Sequence, residues 1–211
     1  MTGPAVKVCG LTRPEDVALC HTLGVDLTGF IFVSSSPRAI APEEAAAMPR
    51  GSARRVGVFA GQCVPEIRRI AEAADLDFIQ LHGGESPEFC QAVGPERVIK
   101  VLWPQTLSDE NLNAELLRFA PVAAWFLLDA GQSGGGSGQP LAWDRLQGLE
   151  APRPWLLAGG LGPATMHEAL CRCTPDGLDM NSALETKPGI KDHTLLRAAL
   201  VCLHGNNKDM P

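Results

Sequence analysis

Short apolar or β-branched runs alternate with longer amphipathic stretches along the whole chain. The apolar runs are predicted strands at 6–9, 27–33, 55–59, 77–81, 97–102, 123–129, 155–158 and 177–181. Each is followed by a predicted amphipathic helix, at 14–23, 42–48, 64–74, 86–93, 109–119, 142–148, 163–172 and 192–203. Several of these helices begin with a proline or a capping residue, including Pro14, Pro42, Pro163 and Asp192.

Strict alternation of strand and helix is typical of a parallel sheet, and the number of units selects the architecture. Eight units in 211 residues predict one closed (β/α)₈ barrel, a TIM barrel of the α/β class, over residues 1–203. An open doubly wound sheet would more often have fewer strands and an early glycine-rich dinucleotide turn. Residues 204–211 are predicted to be a polar C-terminal tail.

Composition narrows the possible partners. The net charge is −6 and the pI about 5.4, so the chain lacks the basic excess typical of proteins that bind nucleic acid or an anionic membrane. No apolar run approaches the roughly 18 residues that span a bilayer, and the first residues do not resemble a signal peptide. We expect a cytoplasmic protein that acts on a small molecule and is a monomer.

The seven cysteines show no CxxC pair and no dense disulfide pattern. Cys171 and Cys173 lie near His167, but small apolar residues at the end of a helix explain this spacing better than a metal site. We therefore expect mostly buried, reduced thiols. We assign no metal and no other cofactor.

In a barrel of this kind, chemistry collects at the carboxyl ends of the strands. Alternation in the first strand turns Val6 and Val8 toward the helices, and Lys7 and Cys9 into the barrel. A nearby ammonium group favours the thiolate, so Cys9 is a candidate general base. Asp179, at the end of the eighth strand, is the expected partner of Lys7. The alternative is that Cys9 is a small buried residue like most of the other cysteines.

Asp129 ends an otherwise apolar predicted strand, WFLLD. Partial desolvation of such a carboxyl group raises its pKa toward the range useful for a general acid. Strands one and six lie three apart around an eight-strand ring, which predicts that Cys9 and Asp129 face each other across the mouth. The alternative is an aspartate that only caps a loop.

Small residues follow the last three strands and predict a phosphate site built from backbone N–H groups. They are Gly134 to Gly138, the pair Gly159 and Gly160, and the pair Ser182 and Ala183. We expect Arg38 to bind a carboxylate at the opposite side of the mouth. A solvated surface arginine is the alternative. For Gln80 and His82 two possibilities remain: contact with the substrate, or ordering of a loop.

The sequence resembles the phosphoribosylanthranilate isomerase family of tryptophan biosynthesis over almost its whole length. The resemblance depends on eight segments in the same order: KVCGLTR (7–13), GFIFVSSSPR (29–38), RVGVF (55–59), QLHG (80–83), LLDA (127–130), GGSG (135–138), AGGL (158–161) and LDMNSALETKPGIKD (178–192).

The resemblance implies an Amadori rearrangement of N-(5-phosphoribosyl)anthranilate to 1-(o-carboxyphenylamino)-1-deoxyribulose 5-phosphate without a cofactor. It implies that Asp129 protonates the ribose ring oxygen and that Cys9 removes the C2′ proton. It implies substrate contacts at Lys7, Arg38, His82 and Asp179, and phosphate contacts at Gly138, Gly159, Gly160, Ser182 and Ala183.

One departure from the family pattern falls in the phosphate loop after strand eight. The family usually has Ser-Gly-Val-Glu there, and this chain has Ser182-Ala183-Leu184-Glu185. We expect the alanine to restrict φ and to affect phosphate affinity. Three other functions remain open. They are a non-catalytic phosphosugar-binding barrel, a related barrel enzyme such as indole-3-glycerol phosphate synthase or a histidine-pathway isomerase, and a secondary activity on the histidine-pathway substrate.

Overall fold

Eight parallel strands close into a barrel in the computed structural model, which describes residues 3–129 and 143–205. Neighbouring strands pair in chain order, and the eighth pairs with the first to close the ring. The strands are β1 (Ala5–Val8), β2 (Leu27–Ile31), β3 (Arg54–Phe59), β4 (Phe78–Leu81), β5 (Val98–Leu102), β6 (Trp125–Asp129), β7 (Trp155–Ala158) and β8 (Gly177–Met180). The predicted fold and all eight predicted strands are confirmed, with small shifts at the strand ends.

Seven α-helices surround the barrel within the described residues. They are α1 (Pro14–Thr22), α2 (Pro42–Ala46), α3 (Val64–Ala73), α4 (Pro87–Val93), α5 (Asp109–Phe119), α6 (Met166–Arg172) and α7 (His193–Gly205). Proline occupies the first helical position of α1, α2 and α4, where its missing N–H costs no hydrogen bond. No helix in these ranges is both long enough and apolar enough to cross a membrane.

The structure corrects two predicted helices. The segment 142–148 contains a four-residue 3-10 turn, Trp143–Leu146, and Gly148 follows it with φ of 70°. The predicted helix 163–172 begins only at Met166. Its first residues form a loop in which the Thr165 hydroxyl donates to the Gly160 carbonyl at 2.9 Å and accepts from the Gly162 N–H at 3.0 Å. This local bonding replaces a first helical turn.

Two other features lie between β8 and the C-terminus. An antiparallel hairpin of β9 (Glu185–Lys187) and β10 (Ile190–Lys191) follows β8, and the sequence patterns did not predict it. The carboxylate of Asp192 then accepts from the N–H groups of Thr194 and Leu195 at 2.8 and 3.1 Å, so Asp192 opens the last helix as predicted. Helix α7 continues two residues past the predicted boundary at 203, and residues 206–211 of the predicted tail lie outside the described residues.

The side chains of the strands alternate between two apolar layers. Val6 and Val8 join the large cluster between the barrel and the helices, which confirms the predicted orientation of β1. The inward layer is a separate apolar cluster: Leu27, Val56, Phe78, Ile99, Val101, Leu127, Leu156 and Ala158. The barrel therefore has a packed apolar interior, and polar side chains collect near its carboxyl end.

Asp16 is a fully buried carboxylate that joins the first helix to the end of the chain. It accepts from the Arg13 guanidinium at 2.6 Å, from the Lys191 N–H at 3.1 Å and contacts His193 Nε2 at 2.8 Å. Burial alone would raise the pKa of Asp16, but Arg13, His193 and the Lys191 N–H outweigh burial and lower the pKa. The ionised form is therefore the one that stabilises the fold.

We predict that Asp16→Asn lowers the free energy of unfolding at pH 7 by about 2 kcal/mol, because a buried charged acceptor is lost. A lowered folded-state pKa contributes stability above the unfolded value of about 4, and this contribution disappears as the pH falls through the folded value. The difference between the variant and the wild type should therefore shrink below about pH 4 in urea unfolding curves. Glu72→Gln on the exposed face of α3 is the control. A difference that stays constant with pH would contradict the prediction.

Candidate active site

Lys7 and Asp179 form a buried ion pair near the mouth of the barrel. Lys7 Nζ lies 2.9 Å from Asp179 Oδ1, and the two side chains are 0% and 9% exposed. Burial lowers the pKa of Lys7, but the charge of Asp179 and the nearby Cys9 outweigh burial and raise it. Lys7 is therefore a cation paired with a carboxylate, as the sequence predicted.

Asp129 is connected to this ion pair by the register of the strands. It pairs with Ala158 on β7, Ala158 pairs with Asp179 on β8, and Asp179 pairs with Lys7 on β1. The three polar side chains therefore belong to the same face of neighbouring strands, and Asp129 is close enough to Asp179 for its charge to raise the pKa of Asp179. The Asp129 side chain is 22% exposed, as expected at the edge of an apolar strand.

Cys9 is the first residue after β1 and lies above Lys7. Its N–H donates to the Met180 carbonyl at 2.9 Å, and it belongs to a small upper apolar cluster with Ile31 and Val58. Gly29 on the neighbouring strand leaves the necessary space, because a Cβ at Gly29 would lie 2.8 Å from Cys9 Sγ. The added Cβ would also lie 3.0 Å from Cys9 Cα, so the glycine allows β2 to approach the end of β1 closely.

The protonation state of Cys9 differs from the one expected from the sequence. Burial raises the pKa of the Cys9 thiol, and the charge of Asp179 raises it further, while Lys7 lowers it. The balance is a raised pKa, so the prediction of a favoured thiolate is wrong for the resting site. The physical reason is burial, which disfavours the thiolate by more than Lys7 favours it, and the charge of Asp179 opposes that of Lys7.

His82 lies next to Asp129 at the end of β4. His82 Nε2 is 3.7 Å from Asp129 Oδ2, which is too long for a hydrogen bond. Burial and the charge of Lys7 lower the pKa of His82, so its imidazole is neutral at pH 7. Trp103 contacts the ring edge-on at 5.4 Å between centroids, and Gln80 Nε2 lies 3.4 Å from His82 Nδ1. Trp103 and Gln80 therefore orient the His82 ring, and its side chain is 34% exposed at the mouth.

Arg38 has a carboxylate partner within the protein. Its guanidinium pairs with Glu185, with Nη2 2.7 Å from Oε2. Its stem lies over Gly10, where an added Cβ would be 2.8 Å from Arg38 Cδ and 2.7 Å from Asn181 Oδ1. Arg38 is therefore not a solvated surface arginine, and its binding of a substrate carboxylate stays a prediction.

The two described phosphate loops pack against each other. Gly159 and Gly160 have φ of 103° and 63°, which an L-residue rarely adopts. Ser182 and Ala183 lie in a 3-10 turn after β8, and a Cβ at Gly162 would be 2.9 Å from the Ala183 methyl group. Gly138 and the GGSG segment lie outside the described residues.

Asp75 is the non-glycine residue with positive φ among the described residues, so Ala183 has an ordinary backbone. The alanine therefore imposes no backbone strain here, and its effect on phosphate affinity stays a prediction. The alanine matters instead through its methyl group, which fills the space over Gly162.

Three residues of the site were missed or underestimated. Glu185 and Lys191 lie in segments that the resemblance quoted, but their pairing with Arg38 was not predicted, and Trp103 was not considered for the site. The Pro188-Gly189 dipeptide is a turn signal that could have predicted the β9–β10 hairpin. A predicted hairpin would have brought Glu185 and Lys191 to the end of β8.

A thiol, a carboxyl group, a neutral imidazole and an ion pair meet at a barrel mouth beside a glycine-rich loop and a turn of small residues. Among the described residues, no group of His, Cys, Asp and Glu side chains is arranged to hold a metal ion. This combination defines an acid–base isomerase of the barrel class that acts on a small phosphorylated molecule.

Comparisons with known proteins agree with this class. Residues 6–201 match the family model described as N-(5'phosphoribosyl)anthranilate (PRA) isomerase. The N-(5'-phosphoribosyl)anthranilate isomerase of Maridesulfovibrio salexigens is 46% identical over 94% of this chain and 97% of its own length.

Solved structures give the same result. A phosphoribosyl anthranilate isomerase from Thermotoga maritima superposes with a TM-score of 0.86 at 32% identity, over 96% of this chain and 99% of that one. The enzyme of that organism is also described as dimeric. Another isomerase structure, in complex with reduced 1-(o-carboxyphenylamino)-1-deoxyribulose 5-phosphate, has a TM-score of 0.78 at 30% identity, over 96% of this chain and 99% of that one. The chain belongs to the phosphoribosylanthranilate isomerase family.

We predict that Ala183→Gly changes KM more than kcat. The methyl group of Ala183 packs against Gly162 in the facing loop and supplies no proton-transfer group, so its loss alters the loops and not the chemistry. Steady-state kinetics with the phosphorylated substrate would measure both parameters. Ala164→Gly, at an exposed position of the β7–α6 loop, is the matched control. Equal KM values for Ala183→Gly and the wild type would contradict the prediction.

Proposed function

We propose that this isomerase converts N-(5-phosphoribosyl)anthranilate into 1-(o-carboxyphenylamino)-1-deoxyribulose 5-phosphate in tryptophan biosynthesis. The observation that carries the proposal is the continuous register from Asp129 through Asp179 to Lys7, with Cys9 directly above Lys7. It provides one acid and one base at the same mouth. The family match and the relative that binds the reduced product support the choice of substrate.

Asp129 acts in the first step as the general acid. It donates a proton to the ribose ring oxygen, the bond from that oxygen to C1′ breaks, and the anthranilate nitrogen forms a protonated Schiff base. The carboxyl group follows the apolar run from Trp125 to Leu128, which limits its solvation. His82 is close enough to contact either Asp129 or the opened sugar.

Cys9 acts in the second step as the general base. It removes the proton from C2′, and the electron pair of that C–H bond forms the enolamine, which tautomerises to the ketone. Both steps are acid–base steps with no net change of oxidation state of the substrate, so side chains can supply the chemistry. Lys7 and Asp179 contact the substrate hydroxyl groups from below.

Binding uses two anionic ends of the substrate. Arg38 binds the anthranilate carboxylate as a planar double donor. Backbone amides of the loops after the late strands bind the phosphate, at Gly138, Gly159, Gly160, Ser182 and Ala183.

Two alternative functions make different demands on the site. A histidine-pathway isomerase on the same barrel typically uses two aspartates, whereas β1 here is followed by Cys9. A non-catalytic phosphosugar-binding barrel would keep the glycine loops but would need neither Cys9 nor Asp129. The activity of variants at these two positions therefore separates this alternative from catalysis.

We also propose that the protein is cytoplasmic and monomeric. All seven cysteines are free, and three of them are exposed, which suits a reducing compartment. Among the described residues, the exposed large hydrophobic side chains are Leu117 and Val201 on different helices. Isolated apolar residues do not form the contiguous patch that a stable dimer buries.

We predict that Cys9→Ala and Asp129→Asn each lower kcat by about 10²- to 10⁴-fold, because each removes one proton-transfer group. The measurement follows the anthranilate fluorescence of freshly generated substrate and subtracts spontaneous hydrolysis. Cys173→Ala, a buried thiol outside the site, is the matched control. Near-full activity in both variants would rule out the mechanism.

The raised pKa of Cys9 predicts a pH dependence with a definite sign. The base must be ionised, so kcat/KM should increase with pH from neutrality to beyond the ordinary cysteine value of about 8.5. Cys9→Asp replaces the thiol by a carboxyl group, whose ordinary pKa of about 4 is well below that of a thiol, so this limb should move toward acid pH. A limb that keeps its position in Cys9→Asp would assign the titration to another group.

A further inference from the structure

The pair between Arg38 and Glu185 uses one defined edge of the guanidinium group. Arg38 Nε lies 3.0 Å from both carboxylate oxygens of Glu185, and Nη2 lies 2.7 Å from Oε2. A planar guanidinium has five N–H donors. Glu185 binds the edge of the guanidinium formed by Nε and Nη2. The opposite end, formed by Nη1 and the second N–H of Nη2, points away from Glu185. Two parallel N–H donors of this kind can bind a carboxylate through both of its oxygens.

Glu185 also accepts hydrogen bonds from two residues of the β9–β10 hairpin. Lys191 Nζ lies 2.9 Å from Glu185 Oε1, and the Gly189 N–H donates to the same oxygen at 3.2 Å. The Lys191 ammonium also donates to the side chain and the carbonyl of Asn181 at 2.9 and 3.2 Å. The β9–β10 hairpin therefore brings an anion and its counter-cation together at the end of β8.

The charges of this cluster do not cancel. Burial raises the pKa of Glu185, but Arg38 and Lys191 outweigh burial and lower it, so Glu185 is ionised. The side chains of Glu185 and Lys191 are 3% and 0% exposed, whereas Arg38 is 16% exposed. Two cations and one anion leave one net positive charge, and the solvent-accessible part of it belongs to Arg38.

The cluster adjoins the reacting groups. Gly10 directly follows Cys9, and with φ of 71° and no side chain it allows Arg38 and Asn181 to meet over the end of β1. Arg38 and Lys191 are close enough to Cys9 that a charge on its sulfur atom favours their charged forms and raises their pKa values. An anion bound at the exposed end of Arg38 would therefore lie beside the general base.

We propose that Glu185, anchored by Lys191, is a positioning residue that determines specificity: it directs the free end of the Arg38 guanidinium toward an aromatic carboxylate of the substrate. This inference rests on the proposed function of Arg38. It assigns a task to the β9–β10 hairpin, which holds the carboxylate receptor in place. A surface arginine without this support would lose side-chain entropy on binding, which weakens affinity.

The test compares two substrates that differ only in the carboxylate, N-(5-phosphoribosyl)anthranilate and N-(5-phosphoribosyl)aniline. Glu185→Gln keeps the shape of the side chain but removes the charge that orients Arg38. We expect KM for the carboxylated substrate to rise about tenfold, kcat to stay within about twofold, and KM for the aniline substrate to change little. Glu185→Asp, which keeps the charge, should recover part of the loss, and it serves as the test if Glu185→Gln does not fold.

Controls separate positioning from stability. Lys187→Gln changes an exposed residue of the same hairpin and should leave both KM values unchanged. In an Arg38→Ala background, Glu185→Gln should have little further effect on the preference for the carboxylate, because the two residues act as one unit. A lower KM in Glu185→Gln would mean that Glu185 competes with the substrate, and this would overturn the proposal. An equal change for both substrates, or no change, would also overturn it.

A calorimetric binding experiment gives a readout that does not need turnover. It compares reduced 1-(o-carboxyphenylamino)-1-deoxyribulose 5-phosphate with the same compound lacking the carboxylate. Suppose that the wild type prefers the carboxylated compound, that Glu185→Gln loses this preference, and that the wild type turns over no substrate. This result would refute the proposed function alone. A wild-type chain that is active but whose preference ignores Glu185 would refute this inference alone. A chain that binds neither compound would refute both.

Discussion

The ion pair between Lys7 and Asp179 is the interaction on which the rest of the site depends. It joins β1 to β8 at the seam where the first and last strands close the ring, 172 residues apart in sequence. Removing either partner would leave an uncompensated buried charge, which typically costs about 3–5 kcal/mol. The pair therefore holds the closure of the barrel and fixes the level at which Cys9 and Asp129 lie.

The same ion pair marks a change in the character of the barrel interior. Below it the inward side chains are apolar and tightly packed, as in Leu127 and Leu156. At and above it, polar side chains lie beside a small apolar cluster of Cys9, Ile31 and Val58. The Gln80 side chain lies at this boundary, buried and with Oε1 lacking a hydrogen-bond partner among the described groups. One unsatisfied polar atom therefore lies next to the candidate reacting groups.

Much of the fold and part of the site could be predicted from the sequence. Period-two alternation in β1 placed Lys7 and Cys9 on one face, and chain order placed β6 three strands from β1, so both predictions needed only local patterns. The partner of Arg38 was missed because Glu185 is 147 residues away, and the turn signal at Pro188-Gly189 predicts the hairpin but not its contact with Arg38. The 3-10 turn at Trp143 escaped prediction because a short segment with apolar residues three apart is equally compatible with one helical turn.

The raised pKa of Cys9 fits the order of events in the proposed reaction. In the resting site, burial and Asp179 keep the sulfur protonated, which protects a thiol at an open mouth from oxidation. Ring opening by Asp129 then creates a protonated Schiff base next to C2′. A cation at that position lowers the pKa of a nearby thiol, since an opposite charge favours the ionised form. The base is therefore activated by the product of the acid step, and Lys7, committed to Asp179, does not need to activate it beforehand.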